Sequence, residues 1–267
     1  MDTRPIGIFD SGLGGLCAVA ELSRILPHEN IIYFGDTGRV PYGSRSVSTL
    51  RKYAAEDIAF LLSHGVKTVL AACGTVSATV LEELKGDISV PLFGVVESAA
   101  KKAALLSQRG KIGVLGTEAT IKSDIFKRKI HEYRPDAEIK SIACPLFVPL
   151  VENGFIARDS EITRLACRHY LAEMAKFSPD VLILGCTHFP IIKDIIADFL
   201  PDVTLIDPAK EAANELCEAL AEREMLSPSL ENGRVKYFVS DAPERFCANA
   251  WIFLGGENKI SAEKIDL

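Results

Sequence analysis

Apolar positions along the chain alternate between short runs and stretches of helical period. Ile6-Gly7-Ile8-Phe9 is followed by Leu16 to Leu26, then Ile31-Ile32-Tyr33-Phe34, then Val47 to Leu62. This β-α-β-α rhythm predicts a parallel sheet. Within the fourth stretch Val47, Leu50, Tyr53, Ala54, Ile58, Leu61 and Leu62 fall on one helical stripe, and His64-Gly65 supplies a stop signal. The series continues with strands at Thr68 to Ala72, Leu92 to Val95, Ile112 to Leu115 and Val181 to Leu184, and with helices beginning at Thr75, Ser98 and Thr120. The last third adds strands at Thr204 to Ile206 and Val235 to Val239 around a helix from Ala209 to Arg223. The segment from Cys144 to Gly154 reads as an apolar loop that delivers Glu152.

Two stretches repeat. Pro5-Ile6-Gly7-Ile8-Phe9-Asp10-Ser11 matches Lys111-Ile112-Gly113-Val114-Leu115-Gly116-Thr117, each a strand, a turn and a hydroxyl before a helix. Thr68-Val69-Leu70-Ala71-Ala72-Cys73-Gly74-Thr75 matches Asp180-Val181-Leu182-Ile183-Leu184-Gly185-Cys186-Thr187, an apolar strand ending in cysteine and passing through threonine. Two similar α/β halves explain this, although βαβ units also resemble each other without common ancestry.

Composition narrows the possibilities. In 267 residues, 48% are hydrophobic and 25% charged, so the chain is globular and long enough for two domains or one large one. Thirty basic against 36 acidic residues give a net charge of −6, the wrong sign for a protein that grips phosphate backbones, so no nucleic acid is expected. No apolar run approaches the ~18 residues of a membrane span and no leader pattern opens the chain, so a cytoplasmic protein without a membrane partner is expected. The seven cysteines, at 17, 73, 144, 167, 186, 217 and 247, form no CxxC pair, which fits neither a zinc ribbon nor a disulfide framework.

In open parallel sheets ligands bind beyond the carboxyl ends of the strands, where all four repeated features lie. Cys73 and Cys186 are each expected near a helix N-terminus, which lowers a thiol pKa. If the halves face each other, the two thiols meet in one cleft. Asp10 reads either as a proton partner of Cys73 or as a helix cap, and His188 either as the partner of Cys186 or as a first-turn residue. Glu152 reads as a third proton carrier or as solvated surface. Ser11, Thr75, Thr117, Thr120 and Thr187 gather at strand-to-helix turns, as a cradle for small carboxylates or as simple caps. The loop from Asp36 to Ser44, with Pro41, Tyr42 and Gly43, reads as a substrate lid or a plain connection. Cofactor motifs fail: Cys17 stands where the dinucleotide fingerprint begun by Gly12 and Gly14 needs its last glycine, Gly38 to Ser44 lacks the P-loop lysine, and His28-Glu29 lacks the second zincin histidine. No NAD, ATP or metal is expected.

Phe9-Asp10-Ser11-Gly12-Leu13-Gly14-Gly15, Pro41-Tyr42-Gly43, Cys73-Gly74-Thr75 and Gly185-Cys186-Thr187-His188-Phe189-Pro190 together resemble the glutamate racemases, a likeness running from Ile6 to about Asp207. The resemblance implies two α/β domains, 1–97 plus 208–267 and 98–207, with the active site between them, a homodimer and no cofactor. It implies that Cys73 deprotonates D-glutamate with help from Asp10, that Cys186 deprotonates L-glutamate with help from His188, and that Glu152 stands near the site. The product implied is D-glutamate for bacterial peptidoglycan. Ser11, Pro41, Tyr42, Gly43, Gly74, Thr75, Thr117, Thr120 and Thr187 are the substrate-binding candidates. One departure stands out: the family pattern is Cys-Asn-Thr where this chain has Gly74, and the missing amide contacts the substrate's amino-acid head in that family. Gly74 is therefore expected to leave room for a water or for a different substrate, such as aspartate, a hydantoin or a malonate. A non-catalytic amino-acid-binding regulator and a thiol oxidoreductase are the alternatives from other classes.

Overall fold

Two parallel sheets organise the chain, seen in a computed structural model that describes residues 1–256 and 259–266. The first half runs β1 (Ile6–Asp10), α1 (Leu16–Ile25), β2 (Ile31–Gly35), α2 (Val47–Ser63), β3 (Thr68–Ala71), α3 (Gly74–Thr79), α4 (Leu81–Leu84), a 3-10 turn at Lys85–Asp87, β4 (Leu92–Gly94) and α5 (Val96–Leu106). The second half continues with β5 (Lys111–Gly116), α6 (Glu118–Lys122), α7 (Ile125–Tyr133), β6 (Glu138–Ala143), α8 (Phe147–Glu152), α9 (Glu161–Phe177) and β7 (Val181–Leu184). A 3-10 turn at Phe189–Ile192, α10 (Lys193–Phe199) and β8 (Thr204–Ile206) complete it. The chain then returns to the first sheet through α11 (Pro208–Glu222), β9 (Val235–Val239), α12 (Pro243–Asn249), α13 (Trp251–Leu254) and β10 (Ala262–Lys264).

Strand order is β10-β9-β2-β1-β3-β4 in the first sheet and β6-β5-β7-β8 in the second, with every pair parallel. In each sheet the chain leaves a central strand to one side and later returns to its other side, which opens a crevice at the carboxyl ends. Phe9 pairs with Ala71 in the first sheet and Leu115 with Leu184 in the second, so Asp10 ends level with Ala72, one residue before Cys73, and Gly116 level with Gly185, one residue before Cys186. The duplicated sequence pattern is thus two copies of one topological device.

Local signals account for the main helices. Ser46 caps α2 by accepting a hydrogen bond from the Thr49 N–H, and Gly65, at φ +69°, ends it. Asp207 caps α11 through the Ala209 N–H, with Pro208 at the first helical position. One apolar cluster runs from Ile8, Leu16 and Leu22 through Leu216 of α11 to Phe189 and Ile196, joining the two halves. At the amino end of β3, buried Lys67 bonds Glu29 at 2.6 Å and the carbonyls of Asp2 and Met225, tying the returning chain to the first sheet.

The segment read as an apolar loop holds α8 instead. Pro149 sits in the first turn, where its missing N–H has no partner to lose, so the proline does not break the helix. No helix among the described residues is long and apolar enough to cross a membrane.

Candidate active site

The two crevices face one cavity of about 390 Å³, at the small end of the range for small-molecule sites. Its walls include Ser11, Pro41, Tyr42, Gly43, Cys73, Gly74, Thr75, Thr117, Glu152, Cys186, Thr187 and His188, all singled out from the sequence. Val40 and Ser44, from the loop read as a lid, also line it, as do Glu118, Pro145, Val148 and Pro149, which the sequence did not single out. Asp10 and Thr120 stand behind this wall rather than in it.

Cys73 is the residue from which α3 starts, and its Sγ lies 3.9 Å from the Ser11 hydroxyl. The expected lowering of its pKa is reversed: burial and the charge of Asp10 push the thiol up to about 12, and the Val76 N–H and Ser11 only partly offset them. A helix of six residues offers little dipole against full burial. Cys73 therefore rests as a neutral thiol.

Cys186 precedes a 3-10 turn rather than a full helix, and its surroundings differ. His188 Nδ1 stands 3.8 Å from Cys186 Sγ, while His188 Nε2 lies 3.0 Å from Glu152 Oε1. Burial works against a charged His188, but Cys186 and Glu152 outweigh it and raise the pKa to about 10. The ring is thus an imidazolium at neutral pH, placed where it favours negative charge on the Cys186 sulfur. The edge-on ring of Phe253, from the returning chain, packs 5.3 Å away and went unnoticed in the sequence. Glu152 is no solvated surface group, because α8 turns it onto His188.

Asp10 caps no helix. Its Oδ2 accepts from the Gly12 N–H at 3.1 Å, and α1 begins without a side-chain cap. Oδ1 is buried without a partner among the described residues. Burial raises the carboxyl's pKa, opposed by His188 and by the backbone N–H groups of the turn. The carboxylate and Cys73 influence one another through charge, without a direct hydrogen bond.

The threonines form a hydroxyl chain across the cleft: Thr75 Oγ1 lies 3.0 Å from Thr117 Oγ1, which lies 3.0 Å from Thr120 Oγ1. Thr117 also caps α6 through the Thr120 N–H, so capping and cradle are one arrangement. Thr187 Oγ1 is 3.4 Å from His188 Nδ1.

Gly43 reaches across the cleft too, its carbonyl accepting from the Ala119 N–H at 3.2 Å. The loop from Asp36 to Ser44 contains a cis peptide before Pro41 and is held from behind by buried charges. The Tyr42 hydroxyl is turned from the cavity and donates to Asp36 and to Asp57, the latter at 3.0 Å. Arg39 bonds Asp36 at 2.6 Å, Asp57 at 2.9 Å and Glu56, and lies over the Tyr53 ring. Burial and the neighbouring Asp36 drive the Asp57 pKa well upward, so the pair does not carry two full negative charges. Tyr42→Phe removes the one hydroxyl proton that the two carboxyls share, while Arg39 and Ser240 still serve Asp36 and Arg39 still serves Asp57, at a cost of about 1–3 kcal/mol, or roughly 2–4 °C of thermal midpoint per kcal/mol. Substrate KM is expected to rise more than kcat falls, since the loop is loosened while the thiols stay in place. An unchanged midpoint and KM in that variant show that the loop is held by other means.

Position 74 lies close against the opposite half. Gly74 has ordinary backbone angles, yet a β-carbon there would lie 2.6 Å from the Gly185 carbonyl oxygen. The Gly185 carbonyl of the opposite half thus closes on the backbone at position 74, beside the cavity that Gly74 lines.

The constellation suits proton transfer at a carbon presented between the sulfurs. The Asp/Glu/hydantoin racemase family model matches residues 17–216. A glutamate racemase of Geobacter metallireducens is 43% identical over 258 residues, covering 96% of this chain and 95% of that protein. Among solved structures, a glutamate racemase isoform from Bacillus anthracis superposes with a TM-score of 0.95 at 35% identity, covering 100% of this chain and 99% of that one. The Francisella tularensis glutamate racemase in complex with D-glutamate gives 0.91 at 38% identity, covering 100% and 98%.

Proposed function

The chain belongs to the Asp/Glu/hydantoin racemase family, and from that premise we propose that it interconverts L- and D-glutamate, with Cys73 and Cys186 as the two proton-transfer groups. The observation that carries this reading is the placement of one cysteine at the crevice of each sheet, on a single cavity.

Inverting an α-carbon requires removal of a proton from one face and delivery to the other. With L-glutamate bound, the Cys186 thiolate takes the α-proton: the C–H bond breaks, an S–H bond forms, and the electron pair moves into the α-carbon and its carboxylate. The Cys73 thiol then gives its proton to the opposite face and becomes the thiolate. The reverse sequence starts from D-glutamate. The imidazolium of His188 stabilises charge on Cys186, and Glu152 holds the imidazolium. For Cys73 the Ser11 hydroxyl serves, while Asp10 stands behind as the charge that keeps the resting thiol protonated. Ser11, Thr75, Thr117 and Thr187 are placed to receive the substrate's carboxylates and amine, and their preorganised dipoles stabilise the carbanion-like transition state. The loop bearing Pro41, Tyr42 and Gly43 closes the cavity. Domains of 1–97 plus 208–267 and of 98–207 are our reading of the chain, supported by the division of the strands, with β1–β4, β9 and β10 in one sheet and β5–β8 in the other.

Purified protein incubated with each enantiomer of glutamate and of aspartate in deuterated water provides the test. Loss of optical rotation with one α-deuterium incorporated per inversion is expected for glutamate. Exchange confined to aspartate, or none at all, overturns the substrate assignment.

A further inference from the structure

We propose that Gly14 and Gly74 are positioning residues that seat the Gly185–His188 segment from two sides and so set the reach between the thiols. The inference rests on the two-thiol reading above. A β-carbon at position 14 would stand 2.8 Å from His188 Nδ1 and 2.8 Å from Thr187 Cβ, and closer still to the Thr187 hydroxyl. One at position 74 would stand 2.6 Å from the Gly185 oxygen and 3.6 Å from the Cys186 Cα. Real β-carbons essentially never approach other atoms within 3.0 Å, so each substitution forces a displacement.

The structure also says what moves. The turn carrying Gly14 cannot retreat, because its neighbour Gly15 already lies against Asp10, a β-carbon there meeting the Asp10 Cβ at 2.5 Å. Tyr33 braces the same turn from beneath through a 2.6 Å bond to the Gly12 carbonyl. Across the cleft, Gly185 is flush against β5: its N–H donates to Leu115 O at 2.7 Å, and its own β-carbon would meet that oxygen at 2.6 Å. Neither surface yields locally, so an added methyl group separates the halves or turns His188 away from Cys186. Both outcomes act on proton transfer before they act on binding, since neither glycine offers a side chain to the substrate.

The test compares Gly14→Ala, Gly74→Ala and, as a control, Gly86→Ala, whose β-carbon would enter open space far from the site. A displacement of about 1 Å costs on the order of 10²-fold in rate. Gly14→Ala and Gly74→Ala are each expected to lower kcat roughly 10- to 100-fold with KM changed only a few fold. The α-deuterium isotope effect on kcat should rise in both, as proton transfer comes to limit turnover, while Gly86→Ala keeps the parent values. Thermal midpoints, read alongside, separate folding from positioning: loss of active protein lowers the apparent kcat but leaves the isotope effect unchanged. Parent-like kcat and isotope effect in both alanine variants refute the seat. A parent protein that racemises nothing, or that keeps racemising without either cysteine, refutes instead the reading on which the seat rests.

Discussion

Cys73→Ser and Cys186→Ser are each expected to lower glutamate racemisation by on the order of 10⁴-fold, the upper end of what a positioned acid or base supplies. Either loss suffices, because in the proposed mechanism every turnover in either direction uses one sulfur as base and the other as acid. Racemisation alone cannot show which sulfur serves which face. Enantiomers have equal free energies, so the ratio kcat/KM must stay equal in the two directions for every variant. Elimination escapes that constraint. A glutamate analogue bearing a leaving group X on its amino nitrogen needs only removal of the α-proton; the electron pair forms the C=N bond and X departs with its own pair. Cys73→Ser retains Cys186 and is expected to eliminate from the L-analogue, and Cys186→Ser from the D-analogue. Both variants sparing the same enantiomer is the outcome that overturns one sulfur per face.

Much of this arrangement was legible in the sequence because it rests on local rules. The strand-to-helix rhythm and the matched stretches ending at Cys73 and Cys186 place both sulfurs at carboxyl ends of strands, and parallel topology brings such ends to one side of each sheet. What the sequence withheld depends on long-range packing. Glu152 was ambiguous because only α8, hidden by Pro149, turns it onto His188. The contact of Phe253 with His188 joins residues far apart in the chain and has no local signature. Edge strand β6 (Glu138–Ala143) went unread because alternating polar residues and partial burial leave no continuous apolar run. The direction of the Cys73 shift was missed because a helix N-terminus is visible in the sequence, whereas burial and the proximity of Asp10 are not. The surroundings of Gly74 were hidden for the same reason: an absent side chain is legible, but the Gly185 carbonyl that lies against it belongs to the other half.

His188→Asn is expected to lower kcat by about 10²- to 10³-fold with a smaller change in KM, since the lost cation stabilises charge that shifts during the reaction more than it holds the substrate. Combined with Cys73→Ser, it should suppress elimination from the L-analogue; combined with Cys186→Ser, it should leave elimination from the D-analogue nearly intact. Glu152→Gln tests the same dyad through pH. His188 is held near pKa 10 by Cys186 and Glu152, above the value of about 6.5 for a free imidazole, so its charge persists across neutral pH and is lost as pH rises through 10. A pKa raised by folding contributes stability that is complete below the unfolded value and disappears as pH climbs through the folded one. Replacing the Glu152 carboxylate by an amide removes one of the two charges holding the imidazolium. The His188 titration, followed by imidazole NMR, should therefore move down from about 10, and the alkaline limb of kcat/KM and the alkaline fall in thermal midpoint should move with it. An NMR titration that shifts while the activity limb stays fixed would mean that His188 supports the fold without supporting the chemistry. An unshifted titration would remove Glu152 from the dyad, leaving Cys186 alone to hold the charge.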